Sequence, residues 1–178
     1  MPKKSRHEKT VAIKKSIEAG IEEIYSLPET DQNQLTSFFI GHIKRKLRRK
    51  GLHANPLTVM VFIFEKADSL STMLLSPAII GGGKKTEIEN ELMKLNFLKK
   101  SYSNQFFKFS LEEISKDFRR KFNARKINEI DALAFIEERI NFEKARIVVG
   151  GEEETAKNAR IKMWGFLRDL VLKNIESF

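Results

Sequence analysis

The residues of this chain whose types and spacing could do chemistry are cations, and the densest group of them closes one predicted helix. Between His42 and Lys50, six of nine residues are Lys or Arg and none is acidic. Such a cluster repels itself unless an anionic surface lies nearby, and phosphate backbones are the commonest surface of that kind for a basic protein. We therefore predict that this first cluster contacts phosphates. Its members are Lys44, Arg45, Lys46, Arg48, Arg49 and Lys50.

A second group of cations follows in residues 116–126, where Asp117 is the local acid. If its helix ends near Asn123, these side chains also gather on the C-terminal half of a helix. A solvated helix face is the alternative explanation for such a run. If the two clusters share one face of the protein, however, they could neutralise about 5–8 phosphates. The second cluster consists of Lys116, Arg119, Arg120, Lys121, Arg125 and Lys126.

Arg48 and His53 offer a catalytic alternative. Residues 48–53 read Arg-Arg-Lys-Gly-Leu-His, an Arg-x4-His spacing that resembles the HEPN ribonucleases, all-helical proteins in which such residues act on RNA at a dimer interface. The resemblance implies metal-independent RNA cleavage by a dimer, with Arg48 and His53 facing one cleft. This chain departs from the family pattern at Gly51, which is predicted to end the helix between the two residues.

The remaining motifs support neither a metal nor a cofactor. Cysteine is absent, which excludes thiolate metal sites and a cysteine nucleophile. No histidine has a second His or a Glu at the helical spacings that metal sites use, and the helical phase of His42 places it toward the core. The run Gly81 to Thr86 differs from a phosphate-binding P-loop at two positions, because Ala78 and Lys85 replace the first glycine and the hydroxyl residue. We therefore expect a non-enzymatic protein with no cofactor.

Residues 102–109 mix aromatic, amide and basic side chains. They could stack on a single strand, but a loop that places its Phe side chains in the core is the favoured alternative. Because no groove-reading helix is recognisable, we expect recognition of backbone and shape with little sequence preference. A broad basic face suits a phosphate track, which slightly favours RNA over DNA.

Seven stretches carry apolar residues at the three- and four-residue spacing of amphipathic helices. Asp31 is predicted to cap the second helix, and Asn55 with Pro56 to start the third. Thr86 and Ser110, each followed three residues later by Glu, predict capping boxes. The predicted helices begin near residues 10, 31, 56, 86, 110, 130 and 152. The first is predicted to end near residue 26, and the sixth at Gly150 and Gly151.

The third helix, over about residues 56–75, is predicted to be the central one. Every residue from Val59 to Phe64 is apolar, and a helix apolar on all sides is usually surrounded by others. A buried strand is the alternative, because β-branched and aromatic residues also suit a sheet. Helical spacing continues to Leu70 and Leu74, which favours the helix. Burial on all sides predicts that Phe62→Ala destabilises the protein by about 3–5 kcal/mol.

The composition predicts one charge-rich domain. The 178 residues carry 33 Lys and Arg against 24 Asp and Glu, a net charge of +9. No apolar stretch approaches the roughly 20 residues needed to cross a bilayer, and the basic N-terminus lacks the apolar core of a secretory signal, so we expect a cytoplasmic protein. The predicted fold is an all-α, single-domain bundle of six or seven helices over residues 10–178. A basic arm precedes it at residues 1–9, and a flexible Gly-rich loop interrupts it at residues 76–85.

The favoured function is therefore a nucleic-acid-binding helical protein, acting as a subunit of a nucleoprotein complex alongside other protein subunits. Two alternatives remain open. One is the HEPN-like ribonuclease, and the other is a protein-interaction subunit whose charges meet an acidic partner. The sequence leaves the oligomeric state undetermined.

Overall fold

The computed structural model describes residues 25–75, 82–122 and 127–175, which form helices joined by short connections. The prediction of an all-α bundle is confirmed, with six helices and no strand in those ranges. The predicted arm at 1–9 and nearly all of the predicted helix at 10–26 lie outside the described residues. The helices are α1 (Glu29–Arg49), α2 (Pro56–Leu74), α3 (Gly82–Ser101), α4 (Ser103–Phe122), α5 (Glu129–Ala145) and α6 (Gly151–Lys173).

Helix α2 is the centre of the bundle, since it packs against α1, α3, α4 and α6. All six helices contribute to one hydrophobic core. Val59, Met60 and Ile63 of α2 are fully buried there. None of the helices described is both long and apolar enough to cross a membrane.

The expectation that residues 59–64 are surrounded on every side is wrong for half of them. Val61, Phe62 and Phe64 are only half-buried. Phe62 lies between two surface cavities, because the helices around α2 do not close over that side. Residues 59–64 therefore contribute both to the core and to the partly exposed surface of α2.

The junction between α1 and α2 has the predicted geometry. Gly51 has φ +74°, a left-handed conformation that glycine adopts without a steric penalty. Its N–H donates to the carbonyl of Arg48 (3.0 Å), and the N–H of Leu52 donates to that of Leu47 (3.1 Å), as in a Schellman motif. Four residues later, the Asn55 side chain accepts a hydrogen bond from the Thr58 N–H (2.8 Å). Both helix ends are thus fixed locally.

Three predicted helix starts are wrong. Helix α1 begins at Glu29 after Pro28, so Asp31 lies inside its first turn. Ser110 is buried inside α4, where its hydroxyl donates to the Phe106 carbonyl (2.7 Å). Thr86 likewise lies inside α3. Serine and threonine can bond a carbonyl four residues back as readily as they cap a helix, so the capping-box spacing alone cannot separate the two roles.

Three connections also differ from the prediction. Residues 103–109 are the first turns of α4 rather than a loop, and Phe106 is buried. Of the predicted loop at 76–85, residues 82–85 belong to α3 and the rest lie outside the described residues. Helix α5 ends at Ala145 instead of near Gly150, which has φ +108° and precedes α6.

Candidate nucleic-acid interface

A groove of about 660 Å³ opens between α1, α2 and α3, and we call it the basic groove. Apolar and aromatic side chains form its floor, and cations surround them. The floor consists of Phe39, Ile43, Phe62, Leu95 and Leu98, and the cations are Arg45, Lys46, Arg49, Lys66 and Lys94. His42 and Glu91 complete the lining.

Helical spacing places these side chains on common faces. Arg45 and Arg49 are four residues apart on α1, so they lie one above the other. Lys66 follows Phe62 by the same interval on α2. Helix α3 packs against both α1 and α2 and brings Lys94 to the third side. The groove is therefore assembled from three helices, of which α1 carries most of the charge.

Glu91 is the one acid among the described residues that line the groove. Its carboxylate accepts hydrogen bonds from Lys66 and Lys94, one on each oxygen. Burial alone would raise the pKa of Glu91, but these two hydrogen bonds and charges outweigh burial and hold the pKa below its usual value. Glu91 thus stays ionised near neutral pH and offsets one of the five cationic charges.

His42 lies at the rim of the groove, not in the core as its helical phase predicted. The buried stripe of α1 passes through Phe39, Ile43 and Leu47 and leaves His42 to one side, with its ring 4.6 Å from that of Phe38. Partial burial lowers the pKa of His42, and the charges of Arg45 and Lys94 lower it further. The positive potential of the groove therefore reaches its rim.

Two of the lysines lie over aromatic rings. The Lys46 ammonium is 5.4 Å from the centre of the Phe62 ring, and that of Lys94 is 5.2 Å from the centre of Phe39. Contacts of this kind attract a cation to a ring face by about 0.5–1 kcal/mol at exposed sites. The cations are thus held above the apolar floor.

The rest of the first cluster lies on α1 outside the groove. Arg48 and Lys50 are exposed and Lys44 is half-buried. Lys50 lines a second cavity of about 470 Å³, bordered by α2, α5 and α6, which Phe62 also borders. In the part of the chain that the structure describes, no member of the first cluster forms an ion pair.

The second cluster differs because its charges are largely paired. Lys116 contacts Glu113 (2.7 Å) and Arg120 lies 3.8 Å from Asp117. Lys121 reaches Glu138 of α5 (3.3 Å). Arg119 is exposed. Arg125 and Lys126 lie outside the described residues, and no member lines the basic groove.

Arg48 and His53 lie on opposite sides of the C-terminal end of α1. Arg48 belongs to the last turn of α1, whereas His53 follows Gly51 in the connection to α2. Both are exposed, and neither lines the groove. The predicted departure from the HEPN pattern at Gly51 is therefore present, since α1 ends between the two residues.

Sequence reasoning missed the contributions of α2 and α3 to the groove. Lys66 and Lys94 belong to no run of cations in the sequence, and Glu91 is one of several acids in its helix. A usable signal was the interval between Phe62 and Lys66, which places an aromatic and a cation on one face of the central helix. Lys94 gives no comparable signal, because its place depends on how α3 packs.

No protein-family model matches this chain, and no curated protein or solved structure is significantly similar to it. Among the residues described, no three His, Asp or Glu side chains come together as metal ligands. The function must therefore be argued from the basic groove and its surroundings.

Proposed function

We propose that this protein is a non-enzymatic, helical nucleic-acid-binding protein that contacts phosphate backbones through the basic groove and the first cluster. RNA is slightly favoured over DNA, and the protein serves as a subunit of a nucleoprotein complex. A cytoplasmic setting belongs to the same proposal, because the chain has no cysteine and therefore no disulfide, and disulfides are rare in reducing compartments.

The observation that carries the proposal is the density of cations without an acidic partner in the first cluster. Elsewhere on the surface, cations such as Lys162 and Arg168 contact Asp68 and Glu137. The first cluster has six cations without such a partner in the described ranges. Clustered cations raise the local concentration of anions. A bound anion also reduces the electrostatic repulsion between the cations.

The chemistry of the cluster suits phosphates better than an acidic protein surface. Arg45, Arg48 and Arg49 present planar guanidinium groups, which form paired hydrogen bonds with phosphate oxygens. If each of the six cations of the first cluster contacts one phosphate, binding would release about five counterions. Binding should then weaken steeply as salt rises, whatever the sequence of the nucleic acid.

The test is a titration of labelled single- and double-stranded RNA and DNA at low and moderate salt. Reversing three charges, with Arg45→Glu, Arg48→Glu and Arg49→Glu combined, should abolish binding at moderate salt and flatten the salt dependence. The matched control combines Lys84→Glu, Lys108→Glu and Lys173→Glu, which change net charge equally at exposed positions outside the groove.

Three results would contradict the proposal. The first is equal loss of binding in both triple variants, which would show that net charge rather than the cluster matters. The second is metal-independent RNA cleavage that is lost on either Arg48→Ala or His53→Ala, which would make the HEPN-like ribonuclease the better assignment. The third is binding to an acidic protein but to no nucleic acid, which would favour the interaction-subunit alternative.

A further inference from the structure

We propose that the basic groove binds unpaired nucleotides of a single strand, with a base against the Phe62 ring and the neighbouring phosphates on the surrounding cations. This inference rests on the proposed function and adds to it the type of strand and the position of a base. Phe62 thereby becomes a ligand-contacting residue and not only part of the bundle.

The first argument is access. Phe62 lies in the floor of the groove, also borders the second cavity and is half-buried, so a group must enter one of these two openings to reach its ring. A duplex keeps its base faces stacked and offers phosphates at its surface, which would meet the rim alone. An unpaired base has a free face, and stacking on an aromatic side chain contributes about 1–3 kcal/mol per base. The volume of about 660 Å³ is within the usual range of ligand sites.

The second argument is charge. Five cations and one acid line the groove, so its lining carries four more positive than negative charges. One phosphate of a chain carries a single negative charge. The excess therefore matches several consecutive phosphates, and this favours a continuous strand over an isolated mononucleotide.

The third argument is the contact between Lys46 and Phe62. A base that stacks on Phe62 takes the place of the ammonium group, which lies 5.4 Å from the ring centre. The flexible lysine stem lets that ammonium turn to a phosphate of the same strand. Stacking and charge pairing then support each other, since the displaced cation gains an anionic partner.

The experiment compares three labelled probes of about ten units: an oligouridine, the same strand without bases, and an RNA duplex. Phe62→Leu keeps an apolar side chain and removes the ring. We expect it to weaken oligouridine binding about fivefold or more, and to leave the abasic strand and the duplex within about twofold. Phe122→Leu is the matched control, because Phe122 is an exposed aromatic residue of α4 that lines neither cavity.

Phe62→Tyr retains an aromatic ring and should keep oligouridine binding near the wild-type level, which separates stacking from simple packing. Thermal melting of each variant checks that it folds. Equal weakening of all three probes by Phe62→Leu, or none, would overturn the inference. So would an abasic strand that binds wild-type protein as tightly as oligouridine.

These outcomes differ from failure of the proposed function. If strand binding is lost in the arginine triple variant but is unchanged in Phe62→Leu, the proposed function stands and the base site does not. If no probe binds even at low salt, the proposed function itself fails. Binding of phosphatidylglycerol vesicles alone, lost on Phe62→Leu, would assign the groove to a lipid and also overturn the inference.

Discussion

Glu91 holds an unusual place among the residues of the basic groove, because it is an acid surrounded by cations that the proposed ligand needs. Lys66 and Lys94 both donate to its carboxylate. Glu91→Gln keeps the shape of the side chain and removes its charge. We expect nucleic-acid affinity at low salt to rise by roughly twofold to fivefold, with a steeper salt dependence.

The measurement is the titration described above, with Glu89→Gln as control. Glu89 lies on the same helix outside the groove, 3.8 Å from Lys85. An unchanged affinity in Glu91→Gln, or an equal rise in the control, would show that the ligand binds elsewhere.

His42 predicts a dependence of stability on pH. Burial and the charges of Arg45 and Lys94 lower its pKa below 6.5 in the folded protein, so the unfolded chain binds this proton more readily. The stability associated with neutral His42 is present above about pH 6.5 and is lost as pH falls. Between about pH 7.5 and pH 5.5, the melting temperature should fall less in His42→Gln than in the wild type.

His53→Gln is the matched control, because His53 is exposed and outside the groove. Its melting temperature should follow the wild-type pH profile. If acidification lowers the melting temperatures of His42→Gln and the wild type by the same amount, the charges around His42 do not act on it in the folded state.

At the scale of residues, the sequence singled out three of the five cations that line the groove. Arg45, Lys46 and Arg49 were recognisable because they belong to a basic run without acids. Lys66 and Lys94 were not, because each lies on another helix outside any run of cations and reaches the groove only through packing against α1. A run of charge is local information, whereas a groove between three helices is not.

Among the helices, the junction of α1 and α2 gives a stability prediction. Asn55→Ala removes the acceptor for the Thr58 N–H and should cost about 1 kcal/mol. Gly51→Ala places a side chain at φ +74° and should cost a similar amount, about 1 kcal/mol. Urea unfolding monitored by circular dichroism gives both values.

Gly41→Ala is the control for the glycine substitution. Gly41 lies inside α1 without a positive φ, and an added Cβ meets nothing within 4 Å. Alanine has the higher helix propensity by about 1 kcal/mol, so this variant should be more stable than the wild type. If Gly51→Ala is also stabilised, the left-handed helix end does not constrain the chain there.

The same junction explains which element boundaries were predictable. Asn55 with Pro56, and Gly51, are signals with a backbone cause: a cap, a missing donor and a positive φ. Ser110 with Glu113 is a spacing without such a cause, and the serine serves equally well inside α4. Tertiary packing of Phe106 and Tyr102, both buried, extends α4 further toward the N-terminus than local preference indicated.

For the molecule as a whole, Ile63 and its neighbour Phe62 differ in how deeply they are buried in the core. Ile63 is buried among the packed helices, so Ile63→Ala should destabilise by about 2–5 kcal/mol. Phe62 is half-buried between two cavities, and the sequence-based expectation of about 3–5 kcal/mol for Phe62→Ala is therefore too high. Phe62→Leu should cost less than about 1.5 kcal/mol.

Free energies of unfolding from urea titrations test this order. A larger loss for Phe62→Leu than for Ile63→Ala would place the Phe62 ring in the core. The fold class and the central position of α2 were predictable, because periodicity and the apolar run act over whole helices. The open side of α2 was not, because it depends on where α1 and α3 leave a gap.

The arrangement of the basic groove, with cations at its rim and the Phe62 ring in its floor, has a consequence for the kinetics of binding. If the groove binds a strand as proposed, cations at the rim act over about 8 Å in physiological salt and would attract the strand before contact, so they would govern the rate of association. The Phe62 ring would act only at contact, and it would govern how slowly the strand leaves. A strand would thus arrive quickly on any phosphate backbone, and its residence time would depend on whether a base is free to enter.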